Sequence, residues 1–347
     1  VEVIGTTGDD YFQQLQIRLS NGTGPSIFSL QNTSEAERLE SYVYDLSGEA
    51  FTENIAPNMA LMLDDKLVGI PYGVEGFGLV YNEELVNPED ITDYESFVST
   101  IEELEAEGIT GLSLSQEAYF LIGHILNYPF SLQEDPVEFI EQLNAGEVSL
   151  AETEEFQEFA DFLEAIRAQE VNPLEVTYDT QVGDFAAGNT AMIHQGNWVA
   201  PMLEDFGVDF EVGLAPFPLE GNDKIAVGVG SNWAVNANKE PEEIAASIAF
   251  LEWLHTSEEG KRIIVEEFGF IPAMTNIEAE GLDPISQAVL EASNSGETIM
   301  WSHNYFPAGI IPNDLAPAAQ EFFISEDMTG EEFLENLDAA WDNATAE

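Results

Sequence analysis

The chain has 347 residues, of which 67 are Asp or Glu and only 8 are Lys or Arg, a formal net charge of -59. That balance excludes nucleic acid and disfavours anionic lipid as partners, because both require cationic groups to displace counterions from phosphate. Hydrophobic residues at 44% and aromatics at 11% run along the whole length and exclude an acidic disordered chain, while the absence of cysteine excludes disulfides and thiolate metal sites.

The opening "VEVIGTT" reads as a strand. In "DDYFQQLQIRLSNG", Phe12, Leu15 and Leu19 share one helical face and Gly22 is a stop. "GPSIFSL" is predicted as a strand, and "DKLVGIPYG" and "GFGLVYN" as two more, flanking a glycine-rich crossing at residues 73–78. Between Thr92 and Gly108, residues Phe97, Ile101 and Leu104 stand at helical spacing, with Thr92 or Asp93 as N-cap and Gly108 just beyond the last turn. "ITGLSLS" follows as a strand and "EAYFLIGHILNY" as a buried helix. Phe156, Phe159, Leu163 and Ile166 make one face of a helix over 154–169, and "TAMIH" is a strand. Further helices are predicted over 242–255, 258–267, 285–293, 315–324 and 330–341. This alternation is that of an α/β protein. Its length suits two domains, and with no long linker or repeat they would be interwoven.

No apolar run approaches the ~18 residues needed for a membrane span. No basic-then-apolar leader opens the sequence, so any export signal is expected upstream. The charge reads as a solvated surface suited to high or variable ionic strength, with cation binding as the alternative.

Catalytic motifs are weak. "GVEGFG" lacks a following Lys-Ser/Thr and runs into a strand, so it reads as a flexible crossing and not as a phosphate loop. His124, His194, His255 and His303 show no ligand spacing, and His124 reads as a packed core residue; no metal or other cofactor is indicated. There is no G-x-S-x-G elbow, and no carboxylate pair stands out from so many acids. What does stand out is aromatic residues beside amides and small residues: "EAYF" (117–120), "QGNW" (195–198), "GSNW" (230–233) and "WSHNYF" (301–306). A flat apolar ring beside hydrogen-bonding side chains suits a sugar, which has an apolar CH face and a rim of hydroxyls. For each Trp the competing reading is a core plug.

The segments "GIPYGVEGFGLVYNEELV" (69–86), "TYDTQVGDFAAGNTAMIHQGNW" (177–198) and "SEEGKRIIVEEFGFIPA" (257–273) carry a resemblance to the extracellular solute-binding proteins of ABC importers. Within these the chain is most similar to the carbohydrate-binding family 1 group that includes maltose-binding protein. The resemblance implies an α/β, two-lobed, periplasmic-binding-protein-like fold of type II with a ligand cleft between lobes. Lobe 1 would take 1–75 and 227–280, and lobe 2 would take 76–226 and 281–347. The strand and helix with which the family begins have no counterpart here, which implies a fragment or a rearranged first lobe. By the same resemblance, Glu75 corresponds to a carboxylate that hydrogen-bonds sugar hydroxyls. Glu117 and Tyr119 correspond to an acidic and aromatic pair, and Trp198 to an aromatic that stacks on a sugar ring. Trp301 and Tyr305 lie where another stacking ring is usual, Gln31 where a polar contact is usual, and Asn232 and Trp233 where the chain returns to the first lobe. The implied function is capture of a carbohydrate, an oligosaccharide by its several platforms, and delivery to ABC permease subunits by lobe closure. The protein would be a monomer, extracellular, lipid-anchored at the cell surface or periplasmic, and not an enzyme. A glycoside hydrolase and a binder of a cationic solute such as a polyamine remain the alternatives.

Overall fold

The structure is a computed structural model and describes residues 11–57 and 59–346. The strand predicted at the start lies outside the described residues. Among those residues are strands β1 (Ile27–Leu30), β2 (Leu61–Leu63), β3 (Lys66–Pro71), β4 (Glu75–Asn82) and β5 (Thr110–Ser113). They are followed by β6 (Thr190–Gly196), β7 (Val212–Ala215), β8 (Ile225–Gly228), β9 (Asn232–Val235) and β10 (Thr298–Ile299). The chain divides into two compact units, Val1–Val74 with Gly228–Gly281 and Glu75–Val227 with Leu282–Glu347.

The first unit is built on a four-stranded sheet in the order β1-β9-β3-β2, with every pair antiparallel. Alternation along the strands feeds two apolar layers. Phe28, Leu30, Val68 and Ala234 pack with Leu15 and Leu19 of the helix Tyr11–Ser20. Leu67, Ile70 and Val235 pack instead with Leu251 and Leu254 of the helix Pro241–Thr256.

In the second unit the sheet runs β10-β8-β4-β6-β5, with β7 also paired to β4. β4 is antiparallel to β6 and β7, whereas β5 and β6 are parallel, as are β8 and β10. All seven residues of β6 are buried, as expected of a strand covered on both faces. Phe77, Leu79 and Tyr81 enter one core cluster, and Val80 joins Ile193 in another. The helix Gly330–Thr345 closes the larger core with Trp341, which is fully buried and donates its indole N–H to Asn144 Oδ1 at 2.8 Å.

Helix termini follow local chemistry. Asp93 caps the helix Tyr94–Ala106, accepting from the Ser96 N–H at 2.9 Å while the Ser96 hydroxyl accepts from the Asp93 N–H. Gly108, at φ +82°, takes the left-handed step beyond the helix. Two expectations fail: the helix predicted over 258–267 is α-helical only over Glu258–Arg262 before a π-turn at Ile263–Glu267, and "EAYFLIGHILNY" is not one α-helix. A π-turn over Tyr119–Gly123 leads through a turn into a short helix, Asn127–Ser131. The π-turn is closed by the His124 N–H donating to the Tyr119 carbonyl at 2.9 Å. Its wide turn seats Gly123 against Ile311, where a Cβ would fall 2.9 Å from Ile311 Cγ2.

The few basic residues are spent locally. Arg262 holds Glu259, Glu266 and Glu267 at 2.9–3.2 Å, and Arg167 lies over the Phe322 ring while donating to the Phe322 and Ser325 carbonyls. The remaining negative charge repels itself, and salt relieves that repulsion. Tm is expected to rise by on the order of 10 °C between about 0.1 M and about 1 M NaCl, followed by circular dichroism; a flat or falling Tm would show that self-repulsion does not limit stability.

Candidate functional site

Across β4 and β6 the register sets Phe77 opposite Gly196 and Leu79 opposite His194. These residues share one face of the sheet, since side chains alternate along each strand. Gly196 is required by what lies above it: a Cβ there would fall 2.5 Å from Trp198 Cη2 and 2.5 Å from the Gly76 carbonyl oxygen. The Trp198 ring therefore folds back over the end of its own strand.

Each residue of "QGNW" has a separate task. Gln195, fully buried, accepts the Trp198 indole N–H at 2.7 Å and donates to Gln181 Oε1 at 2.7 Å. Gln181, also fully buried, donates to the Ser113 carbonyl at 2.7 Å. Asn197 accepts the Gly76 N–H at 2.9 Å and so ties the turn to β4. The outcome is a half-buried Trp198 whose polar edge is fixed inward.

Rings collect around Phe77. Centroids lie 4.8 Å away for His124, 5.3 Å for Trp301, 5.7 Å for His194, 6.0 Å for His303 and 6.3 Å for Trp198. Trp198 and Trp301 meet edge to face at 6.5 Å, and His124 stands 5.3 Å from Trp198. The π-turn adds Tyr119, 5.4 Å from His124, and Phe120, 6.3 Å from Trp198. π-turns recur at functional sites because they re-aim side chains within a helix.

The three histidines are neutral. Burial drives His194 and His303 down to about 3 and His124 well below its ordinary value, with the other two rings adding to the effect at His124. Around His303 the amide of Asn127 is oriented by Nδ2 donating to the Met300 carbonyl at 3.0 Å. Its Oδ1 then faces His303 Nδ1 at 3.2 Å, so that ring nitrogen carries the proton. His194 Nε2 meets the Tyr128 hydroxyl at 3.1 Å. The Trp301 indole N–H and the Nδ1 atoms of His124 and His194 are buried without a hydrogen-bond partner among the described residues.

The candidate residues fall into two sets. Glu75, Glu117, Tyr119, Trp198, Trp301 and Tyr305 belong to the second unit. Glu75 opens β4 two residues before Phe77, and burial pushes its carboxyl up to about 7, so it can donate or accept near neutral pH. Glu117 accepts the Tyr178 N–H at 3.1 Å and thereby stabilises the start of the helix Tyr178–Ala186; its second oxygen is buried and unpartnered among the described residues. Trp301 is only 5% exposed, whereas Tyr305 is 43% exposed. Gln31, Asn232 and Trp233 belong to the first unit. Gln31 is exposed and its N–H donates to Glu35 at 2.7 Å. Asn232 is buried opposite Leu30, to whose carbonyl its Nδ2 donates at 3.3 Å. Trp233 is half-buried and stacks on Tyr72 at 4.1 Å.

Sequence reasoning missed Phe77, His194, His303, Gln181 and the role of Gln195, and it placed His124 in the core alone. Alternation along "EGFGLVYN" puts Glu75, Phe77 and Leu79 on one face and could have drawn attention to Phe77. Nothing in the sequence announces the π-turn that turns His124 towards it.

Residues 1–290 match a family model described as bacterial extracellular solute-binding protein. The chain belongs to that family. Solved structures similar to this solute-binding protein include a chitin oligosaccharide binding protein, 20% identical, with a TM-score of 0.78 over 97% of this chain and 88% of that one. RafE in complex with raffinose is 16% identical, with a TM-score of 0.79 over 98% and 91%. A sugar transporter from Bacillus licheniformis in complex with stachyose is 17% identical, with a TM-score of 0.76 over 99% and 91%. At these identities the likeness establishes the α/β solute-binding fold. No helix among the described residues of this solute-binding protein is long and apolar enough to cross a membrane.

The histidines give this solute-binding protein a testable pH response. Because their folded pKa values lie below the unfolded value of ~6.5, their contribution is whole above that pH and is lost as pH falls towards the folded values. Replacing His194 by Gln should flatten the slope of unfolding free energy against pH, measured with urea between about pH 6 and about pH 4, by roughly 1.4 kcal/mol per pH unit. An unchanged slope would mean that His194 is not held neutral.

Proposed function

We propose that this protein captures a carbohydrate outside the cell, an oligosaccharide by preference, and hands it to the permease subunits of an ABC importer through lobe closure. The observation that carries this reading is the Trp198 platform: a half-buried indole fixed by two buried glutamines beside Phe77, His124 and Trp301. Such a face offers flat apolar area for the CH side of a pyranose. Glu75, with a carboxyl that can donate or accept near pH 7, offers a hydrogen bond to a hydroxyl. Neutral histidines add polarity without charge, which suits an uncharged ligand. Membership in an extracellular solute-binding family and likeness to a chitin oligosaccharide binding protein and to proteins in complex with raffinose and stachyose support the same reading. In this proposal Glu117, Tyr119, Trp301 and Tyr305 contribute further contacts, as do Gln31, Asn232 and Trp233, and the protein acts as a monomer.

Catalysis has no part in the reading, and a cationic solute is its main competitor on charge alone. Raffinose, stachyose and chitotetraose form the test panel. At least one should raise Tm and quench Trp fluorescence saturably, with no product by chromatography and little change in Kd between about 0.1 M and about 1 M NaCl. Trp198→Ala should weaken that binding at least ~10-fold, the equivalent of about 1.4 kcal/mol. Hydrolysis of the sugar, or a Kd that collapses with salt for spermidine and no response to any sugar, would overturn the proposal.

A further inference from the structure

The helix Pro241–Thr256 of the first unit is apolar on its outer face as well as its inner one. Ser247, Leu251, Leu254 and His255 are buried, and Ile244, Ile248 and Phe250 pack partly onto the same core. On the opposite face, where residues three and four apart line up, stand Ala245, Ala246 and Ala249, all exposed, and Trp253, 41% exposed. The Phe250 and Trp253 rings lie 6.0 Å apart beside these alanines. A helix apolar on all faces is the kind that is covered on all faces, and this one is covered on one.

Surface helices elsewhere in the chain are built otherwise. The helix Glu154–Ala168 exposes Glu154, Gln157 and Asp161, in keeping with a chain in which 22% of residues are charged. Between Glu243 and Glu252 there is no charged residue. The helix is pinned at its start, where the Glu243 carboxylate accepts from the Ser26 hydroxyl and pairs with Lys239 at 3.3 Å. At its end the Ser257 hydroxyl accepts the Gly260 N–H at 3.0 Å, in a turn so tight that a Cβ at Gly260 would fall 2.4 Å from the Leu254 carbonyl oxygen. The outer face cannot roll inwards without breaking these contacts.

The border of this face selects its occupant. Glu242 and Glu252 are exposed and form no salt bridge among the described residues, and Glu258 stands exposed just past the helix end. A second copy would set acid against acid whether the two helices ran parallel or antiparallel, and one helix face is far smaller than the roughly 800 Å² per partner of a stable interface. An apolar segment flanked by Lys or Arg meets the same border with opposite charge. A contact this small suits a partner that must be met and then released, as delivery to an importer requires.

We propose that Ala245, Ala246, Ala249, Phe250 and Trp253 form a docking surface for the importer's permease, and that the permease segment it meets is apolar and bordered by Lys or Arg. This rests on the importer reading of the protein. Trp253 is the anchor, because large aromatic rings contribute most at such contacts, and the alanines leave room beside it for an apolar side chain of the partner. None of these residues belongs to the Trp198 site.

In cells that make the protein, uptake of whichever of raffinose, stachyose and chitotetraose binds the purified wild type is followed with radiolabelled sugar. The gene is deleted or replaced by Trp253→Glu, Ala249→Glu, Glu252→Lys or, as a control on the helix Tyr11–Ser20, Ile17→Glu, a residue 58% exposed. Trp253→Glu and Ala249→Glu should lower uptake at least ~10-fold while the calorimetric Kd stays within ~2-fold of wild type. Glu252→Lys should lower uptake a few-fold, and Ile17→Glu should leave it unchanged. Circular dichroism checks folding; if Trp253→Glu is unfolded, Ala249→Glu and Glu252→Lys decide. Wild-type uptake with the folded face variants, or an equal loss with folded Ile17→Glu, overturns this inference alone. So does a wild-type dimer in light scattering, or binding to phosphatidylcholine vesicles, that Trp253→Glu abolishes. Uptake that survives deletion of the gene overturns delivery and this inference together, and a wild type that binds no panel sugar overturns the carbohydrate reading as well.

Discussion

Everything in the Trp198 site follows from one pairing, Phe77 opposite Gly196 across β4 and β6. Because position 196 carries no side chain, the indole two residues later can lie back across the strand end, which a Cβ at 2.5 Å from the ring would forbid. Because β6 continues as a strand up to that glycine, Gln195 points to the opposite face and meets Gln181 inside the protein. Trp198 is therefore held at its polar edge by a chain of amides ending on the Ser113 carbonyl. A ring fixed in this way loses little side-chain freedom on binding, so more of its stacking energy appears as affinity.

The electrostatics of the molecule separate along the same line. A net charge of -59 is carried mostly at the surface, where Lys224, Lys239, Lys261 and Arg262 pair with nearby acids. The ring cluster is built from neutral groups, with three histidines whose protonation burial opposes. A neutral polyol entering such a place meets hydrogen-bonding atoms without disturbing a charge balance.

Much of the secondary structure was legible because it is written in short-range chemistry. Asp93, Ser96 and Gly108 bound their helix by capping and by a left-handed step, and Phe156, Phe159, Leu163 and Ile166 mark a buried face by spacing alone. "TAMIH" reads as a strand from its run of apolar residues, though the strand carries on through Gln195 to Gly196. The π-turn at Tyr119–Gly123 was not legible, because its residues favour an ordinary helix and the close fit of Gly123 on Ile311 joins positions far apart in the sequence. For the same reason His124 looked like core filling. The histidine cluster joins positions 124, 194 and 303, whose proximity depends on sheet order and cannot be read from spacing. Trp198 was marked as a ligand candidate by resemblance, while the amides that orient it emerged only from the fold.

The central claim, that the Trp198 ring is a ligand platform, is tested most directly by the indole N–H signals of the five tryptophans in 15N-labelled protein, assigned by single Trp→Phe variants. On titration with a panel sugar that binds by calorimetry, the Trp198 signal should move saturably with the calorimetric Kd, while those of Trp341, buried in the core, and Trp253, on the outer face of its helix, stay in place. A sugar that binds while the Trp198 signal remains unmoved would contradict the account.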